Sequence, residues 1–149
     1  MFKIKIILLT FLFISSIGFA TDGLIQLKSN HSVKQTTKNL LDVLKKKGMT
    51  VFDVIKHKKG AHKVGKKLRP TTVVIFGNPK VGTPLMQCSQ TAAIDLPQKA
   101  LIYKDANGQV WYAYNSPQYL AARHNITGCK KPLAKITNAL ANFAKAATK

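Results

Sequence analysis

The chain has 149 residues, 46% of them hydrophobic, with 24 lysines and arginines against five acidic groups, a formal charge of +19. All the acids are aspartates, scattered along the chain, which is a poor supply for paired acid–base chemistry. Only Arg69 and Arg123 are arginines, so the cationic surface consists of lysine point charges and lacks planar guanidinium recognition.

Residues 1–20 read as a secretory signal peptide: Lys3 and Lys5 precede a largely apolar run from Ile6 to Phe13, and Gly18 and Ala20 stand where a signal peptidase reads small residues. An uncleaved anchor would need roughly 20 apolar residues, and Thr10 with Ser15 and Ser16 leaves this run short. The expected location is periplasmic or secreted, with no membrane span after cleavage. Residues 21–149 then form the single domain, in which 22 basic groups face five aspartates, a formal charge of +17. Such a charge attracts polyanions over a Debye length of about 8 Å at physiological salt. For an exported chain these are lipid head groups, wall polymers or a small anionic ligand; nucleic acid is not the expected partner.

Gly23 to Leu27 is a short first strand. Ser32-Val33-Lys34-Gln35 has the form of a capping box, and Val33, Thr36, Leu40, Val43 and Leu44 recur at helical spacing. Lys45-Lys46-Lys47 suits the negative end of that helix, and Gly48 stops it. Met49 to His57 reads as a strand with apolar residues on both faces (Phe52 and Val54 on one, Val51 and Ile55 on the other), which predicts a central or partly covered position. Lys58 to Arg69 is densely basic, with Ala61, Val64 and Leu68 spaced for a short helix, read as a solvated amphipathic turn.

Thr72 to Phe76 is a nearly continuous apolar run, the composition of a strand covered on both faces. Gly77-Asn78-Pro79 breaks it. Thr83 before Pro84 predicts an N-cap with proline at the first helical position, and hence a helix from Pro84 that ends before Pro97. Lys99 to Asp105 and Gln109 to Tyr114 form a hairpin through Ala106-Asn107-Gly108, since Asn-Gly tolerates the positive dihedrals of a tight turn. Val110, Tyr112 and Tyr114 alternate with Trp111 and Ala113, and one of these two faces covers the core. Ser116-Pro117 starts a short helix to about Arg123, and Leu133, Ile136, Leu140 and Phe143 form the apolar stripe of a last helix from Pro132.

Gly77-Asn78-Pro79-Lys80, Gly82-Thr83-Pro84-Leu85-Met86 and Asp95-Leu96-Pro97 resemble the core motif of the family catalogued as domain of unknown function 302. Tyr114-Asn115-Ser116-Pro117 with Tyr119-Leu120-Ala121-Ala122-Arg123-His124 is similar to its second motif. The resemblance runs from Gly23 to about Gly128. It implies a small α+β domain, often dimeric, so a homodimer is among the expected partners, and it carries over no catalytic residue. With the hairpin, it leads to the expected fold: one α+β domain with a mostly antiparallel sheet and helices on one face.

Two cysteines in an exported chain suggest a disulfide between Cys88 and Cys129, closing a loop of about 40 residues. Two functional readings follow. The first is a non-catalytic domain that binds a small or anionic ligand, or a second copy of itself, through Asn78, Lys80, Thr83, Leu85 and Met86. In this reading the free N–H groups of the Thr83-Pro84 helix start hold the anion and Lys80 is the charge partner. The alternative is a soft-metal or thiol redox protein using Cys88, Cys129, Met86 and a histidine among His57, His62 and His124, a donor set suited to Cu(I). Against it, Met86 and Cys88 are two apart on a helix and diverge. Asp95 reads as a capping or turn residue. No catalytic residue, metal or cofactor is assigned.

Overall fold

The computed structural model describes residues 23–149; the signal peptide reading lies outside the described residues. The elements in chain order are β1 (Leu24–Ser29), α1 (Val33–Lys46), β2 (Thr50–Lys56), α2 (His57–Lys63), β3 (Thr71–Gly77), α3 (Pro79–Cys88), a 3-10 helix (Gln90–Ile94), β4 (Gln98–Lys104), β5 (Val110–Asn115), α4 (Pro117–Arg123) and α5 (Lys130–Thr148). The strands form one sheet in the order β1-β5-β4-β3-β2, with every neighbouring pair antiparallel. Helices α1 and α5 pack on each other and across one face of it, as expected from the sequence.

Alternation along the strands decides which face is covered. Thr72, Val74 and Phe76 of β3 are buried, and so are Gln98, Ala100 and Ile102 of β4 and Val110, Tyr112 and Tyr114 of β5. Their register places Val74 opposite Ala100 and Ala100 opposite Tyr114, so these residues share the helix-facing side. Against them lie Leu40 and Leu44 of α1 and Phe143, Ala144 and Ala147 of α5. Phe76 meets Phe143 edge to face with ring centroids 6.0 Å apart, an arrangement that adds about 0.5–1.5 kcal/mol beyond simple burial. On the other face Lys28 lies over the Trp111 ring, and the Tyr103 hydroxyl donates to Gln26.

Three sequence expectations are corrected. Strand β2 is an edge strand, paired only with β3, and Phe52 is 56% exposed. A register shift between Val51 and Asp53 interrupts its alternation: Val51 pairs with Phe76 and Val54 with Val74, so both turn toward the helices. Phe52 is the extra residue of this bulge, a device that bends an edge strand and re-aims a side chain. Second, the central helix begins at Pro79, not Pro84. Asn78 is its N-cap, in extended backbone, with its side chain accepting the Lys80 N–H at 2.9 Å. Asn-Pro and Thr-Pro carry the same start signal, and the chain uses the earlier one. Pro84 consequently lies inside α3, where it cannot donate to the Lys80 carbonyl, and the helix ends one turn later at Cys88. Third, the capping box is only half made: Ser32 accepts the Gln35 N–H, but the Gln35 side chain donates forward to Asn39.

The hairpin is as expected, and Asp105 organises its turn. One carboxylate oxygen accepts the N–H groups of Asn107 and Gln109, each at 2.9 Å, and the other accepts Trp111 Nε1–H at 2.8 Å. The indole hydrogen bond foremost, then the two backbone donors and the charge of Arg69, hold this carboxyl below its ordinary range.

Candidate functional site: a lysine-rimmed apolar cavity

A cavity of about 640 Å³ opens where the end of the sheet meets α3 and α5. Its walls come from four places: Val81 and Met86 of α3, Ile136 and Phe143 of α5, Leu96 and Pro97 before β4, and Phe52 of the β2 bulge. These are apolar throughout. Lys47, Lys80 and Lys135 also line the space and are all exposed, and no carboxylate does. Gly77 lies in the wall between Phe52 and Pro97; a Cβ there would meet the Phe52 ring at 3.3 Å and Pro97 at 3.5 Å. Glycine thus lets the two side chains close over that part of the wall.

One polar group in the lining is out of place. Gln98 is only 8% exposed, and its side-chain Nε2 is buried without a hydrogen-bond partner. Burying an unpaired amide donor is unfavourable by about 1–3 kcal/mol, so a buried glutamine at the wall of an apolar cavity calls for an acceptor. Tyr112 also has an unpartnered hydroxyl, but it lies in the core, where burial pushes its titration upward.

Two tethers frame the cavity. Cys88 at the end of α3 and Cys129, the N-cap of α5, form a disulfide with Cα atoms 6.4 Å apart, joining the two helical walls. The second tether holds residues 89–97, the segment that supplies Leu96 and Pro97. His124 Nε2 lies 2.6 Å from Asp95 Oδ2, and Arg123 Nη1 lies 3.5 Å from Asp95 Oδ1. Ser89 uses its one hydroxyl proton on the His124 carbonyl at 2.9 Å. Thr91 must therefore donate to Ser89, and His124 Nδ1 must donate to Thr91, each across 3.1 Å. The His124 side chain is 6% exposed and fully engaged.

Of the residues expected at the site, Asn78, Lys80, Thr83 and Met86 line this cavity. Asn78 has a structural task there, capping α3 and donating to the Gly48 carbonyl at 3.1 Å. Leu85 does not line the cavity and is fully buried in the core. The anion site expected at a Thr83-Pro84 helix start falls away, because that turn is inside α3. The soft-metal and thiol reading is also overturned: Cys88 and Cys129 are bonded to each other, so neither sulfur is a free ligand or nucleophile. His57 and His62 belong to α2, which follows the opposite end of β2. Sequence reasoning missed Gln98, Phe52 and the Asp95–His124 contact. The only available signal for the last was that Asp95 and His124 sit in the two family-like motifs.

Five antiparallel strands under α1 and α5, with a lysine-rimmed cavity at one end, define a single-sheet α+β domain. The chain belongs to the family described as Domain of unknown function DUF302, whose profile matches residues 25–143. It has the fold of an uncharacterized conserved DUF302 protein from Bacillus stearothermophilus, with a TM-score of 0.76 at 19% identity over 85% of this chain and 98% of that one. It is also 43% identical over 104 residues to proteins named fluoride-specific ion channel FluC 1 in Brucella suis biovar 1 (strain 1330) and FluC 2 in Brucella melitensis biotype 1. That match covers 70% of this chain but 41% and 38% of those proteins, so the chain spans about two fifths of the length of these relatives. Among the described residues no helix is long and apolar enough to cross a membrane.

Proposed function

We propose that this domain is an exported, non-catalytic binder of a small amphipathic anion, with an apolar body in the cavity and an anionic head at Lys47, Lys80 and Lys135. The observation that carries the reading is the pairing of an apolar wall with three lysines and no carboxylate. The volume is that of sites for small organic ligands, which typically have a few polar groups in an apolar lining. Rotation of the Gln98 side-chain amide would present its unpaired Nε2 donor to an acceptor on the ligand, relieving its buried state. The basic, apolar N-terminal leader and the disulfide support action in an oxidising compartment. The name of the Brucella proteins describes chains more than twice as long as the matched segment. An apolar wall is also a poor substitute for the hydration of a halide, so fluoride is not the proposed ligand.

The test compares dodecanoate, dodecanol and dodecylamine by displacement of a fluorescent fatty-acid probe from residues 21–149. Dodecanoate is expected to bind saturably and more tightly than the alcohol, and the amine most weakly. Lys80→Ala with Lys135→Ala should weaken dodecanoate by roughly three- to tenfold, since partly exposed ion pairs contribute little each, and leave dodecanol unchanged. Equal binding of amine and carboxylate, or no saturable binding of any of the three, rejects the proposal.

A further inference from the structure

The opposite end of the sheet carries a different surface. Between Lys56 and Arg69 the sequence has six lysines, one arginine and two histidines, and no acid occurs anywhere between Asp53 and Asp95. In the structure α2 buries none of its residues, and all of Lys56–Arg69 except the half-buried Ala61 is exposed. None of these lysines pairs with a carboxylate among the described residues. Set among them are apolar side chains the fold leaves open: Val64 is 70% exposed, Leu68 43%, and Ile55 at the end of the β2 edge 36%. A merely solvated turn does not need them.

We infer that Lys56–Leu68 is a docking surface for an anionic lipid bilayer, in which the lysines meet head groups and Val64 and Leu68 enter the acyl boundary. Charge complementarity supplies the attraction, and interleaved apolar side chains distinguish a bilayer from a purely ionic polymer. Nucleic acid fits less well. No aromatic side chain between His57 and Arg69 other than the two histidines offers a stacking platform, and the one guanidinium, Arg69, donates to the Lys104 carbonyl at 3.1 Å. This inference is independent of the cavity reading, since the cavity opens at the other end of β2, near Thr50 and Gly77.

The experiment is co-sedimentation of residues 21–149 with vesicles of phosphatidylcholine alone or with 30% phosphatidylglycerol, in 0.15 M salt. These residues contain the whole described sheet and core and omit the apolar leader, which would bind vesicles itself. Binding is expected to the mixed vesicles only. Lys58→Gln, Lys59→Gln and Lys63→Gln together should lower the partition constant by roughly 30- to 100-fold, at up to about fivefold per lysine. Val64→Ser with Leu68→Ser should lower it by roughly five- to twentyfold without changing the charge. A control removes the same charge elsewhere, with Lys34→Gln, Lys45→Gln and Lys46→Gln on α1, and should cost threefold or less. If the control weakens binding as much as the α2 set, the attraction is the diffuse charge of the domain and the inference fails. It fails equally if the Val64 and Leu68 changes have no effect, or if duplex DNA displaces the protein from the vesicles. Far-ultraviolet circular dichroism of each variant verifies folding.

Discussion

Replacing Gln98 by methionine should move stability and ligand affinity in opposite directions. Gln98 Nε2 is buried with no acceptor among the protein's own groups, which leaves about 1–3 kcal/mol of desolvation uncompensated. Methionine has a similar unbranched length and no donor, and the cavity beside it gives the thioether room to settle, so overpacking is small. Gln98→Met is therefore expected to stabilise the unliganded domain by about 1–2 kcal/mol, equivalent to roughly 3–8 °C in a domain of this size. Urea unfolding followed by the fluorescence of Trp111, the sole tryptophan, measures this directly, with an unchanged slope showing that the midpoint shift is a stability change. In dodecanoate binding the same variant lacks the donor and should lose about 0.5–1.5 kcal/mol, a two- to tenfold weaker Kd. A loss of stability of about 1 kcal/mol or more would refute the reasoning, because it would mean that the Gln98 amide already has a partner in the free protein.

Three further outcomes follow from other parts of the fold. Changing both Cys88 and Cys129 to alanine opens a loop with a sequence separation of 41, which the chain-entropy model values at about 4 kcal/mol, and a urea titration of the oxidised and double-alanine proteins should show a loss of about 2–4 kcal/mol. Asp105 has its carboxyl held below the ordinary value, so its contribution is present above the unfolded aspartate value and is lost as pH falls through the lower folded value. Trp111 emission should therefore stay constant through the usual aspartate range and change only in more acidic solution, a step that Asp105→Asn removes. Gly23 has φ +82° and lies under Tyr119, so the Cβ of Gly23→Ala would overlap that ring's first atoms; a loss of about 2 kcal/mol or more in thermal unfolding is expected, with Ala122→Gly on the exposed side of α4 losing only about 1 kcal/mol.

Local chemistry carried most of the fold. The extent of β3, the Asn107-Gly108 turn and the proline-led α4 each depend on neighbours within a few residues, and each is where the sequence placed it, although β3 is fully buried only on its helix-facing side and not on both. Errors arose where the deciding interaction is distant. Strand β2 has apolar residues on both faces, but whether a strand is central depends on its partners, and a bulge at Phe52 leaves no mark in composition. Asn78 and Thr83 are equivalent start signals until the Asn78 amide finds the Gly48 carbonyl, thirty residues earlier in the chain. The site was half legible for the same reason. Lys80, Thr83 and Met86 sit together in one stretch, whereas Gln98, Phe52, Lys47 and Lys135 come from separate elements and become neighbours only after the sheet forms.

The pairing of β1 with β5 governs how the molecule is made. Leu27 meets Tyr112 and Leu24 meets Asn115, so a nascent chain released only as far as β4 leaves its earliest strand with nothing to dock on. Such long-range closure slows folding and keeps a growing chain open until β5 has been made. Truncation from the far end should consequently unravel the beginning of the domain first.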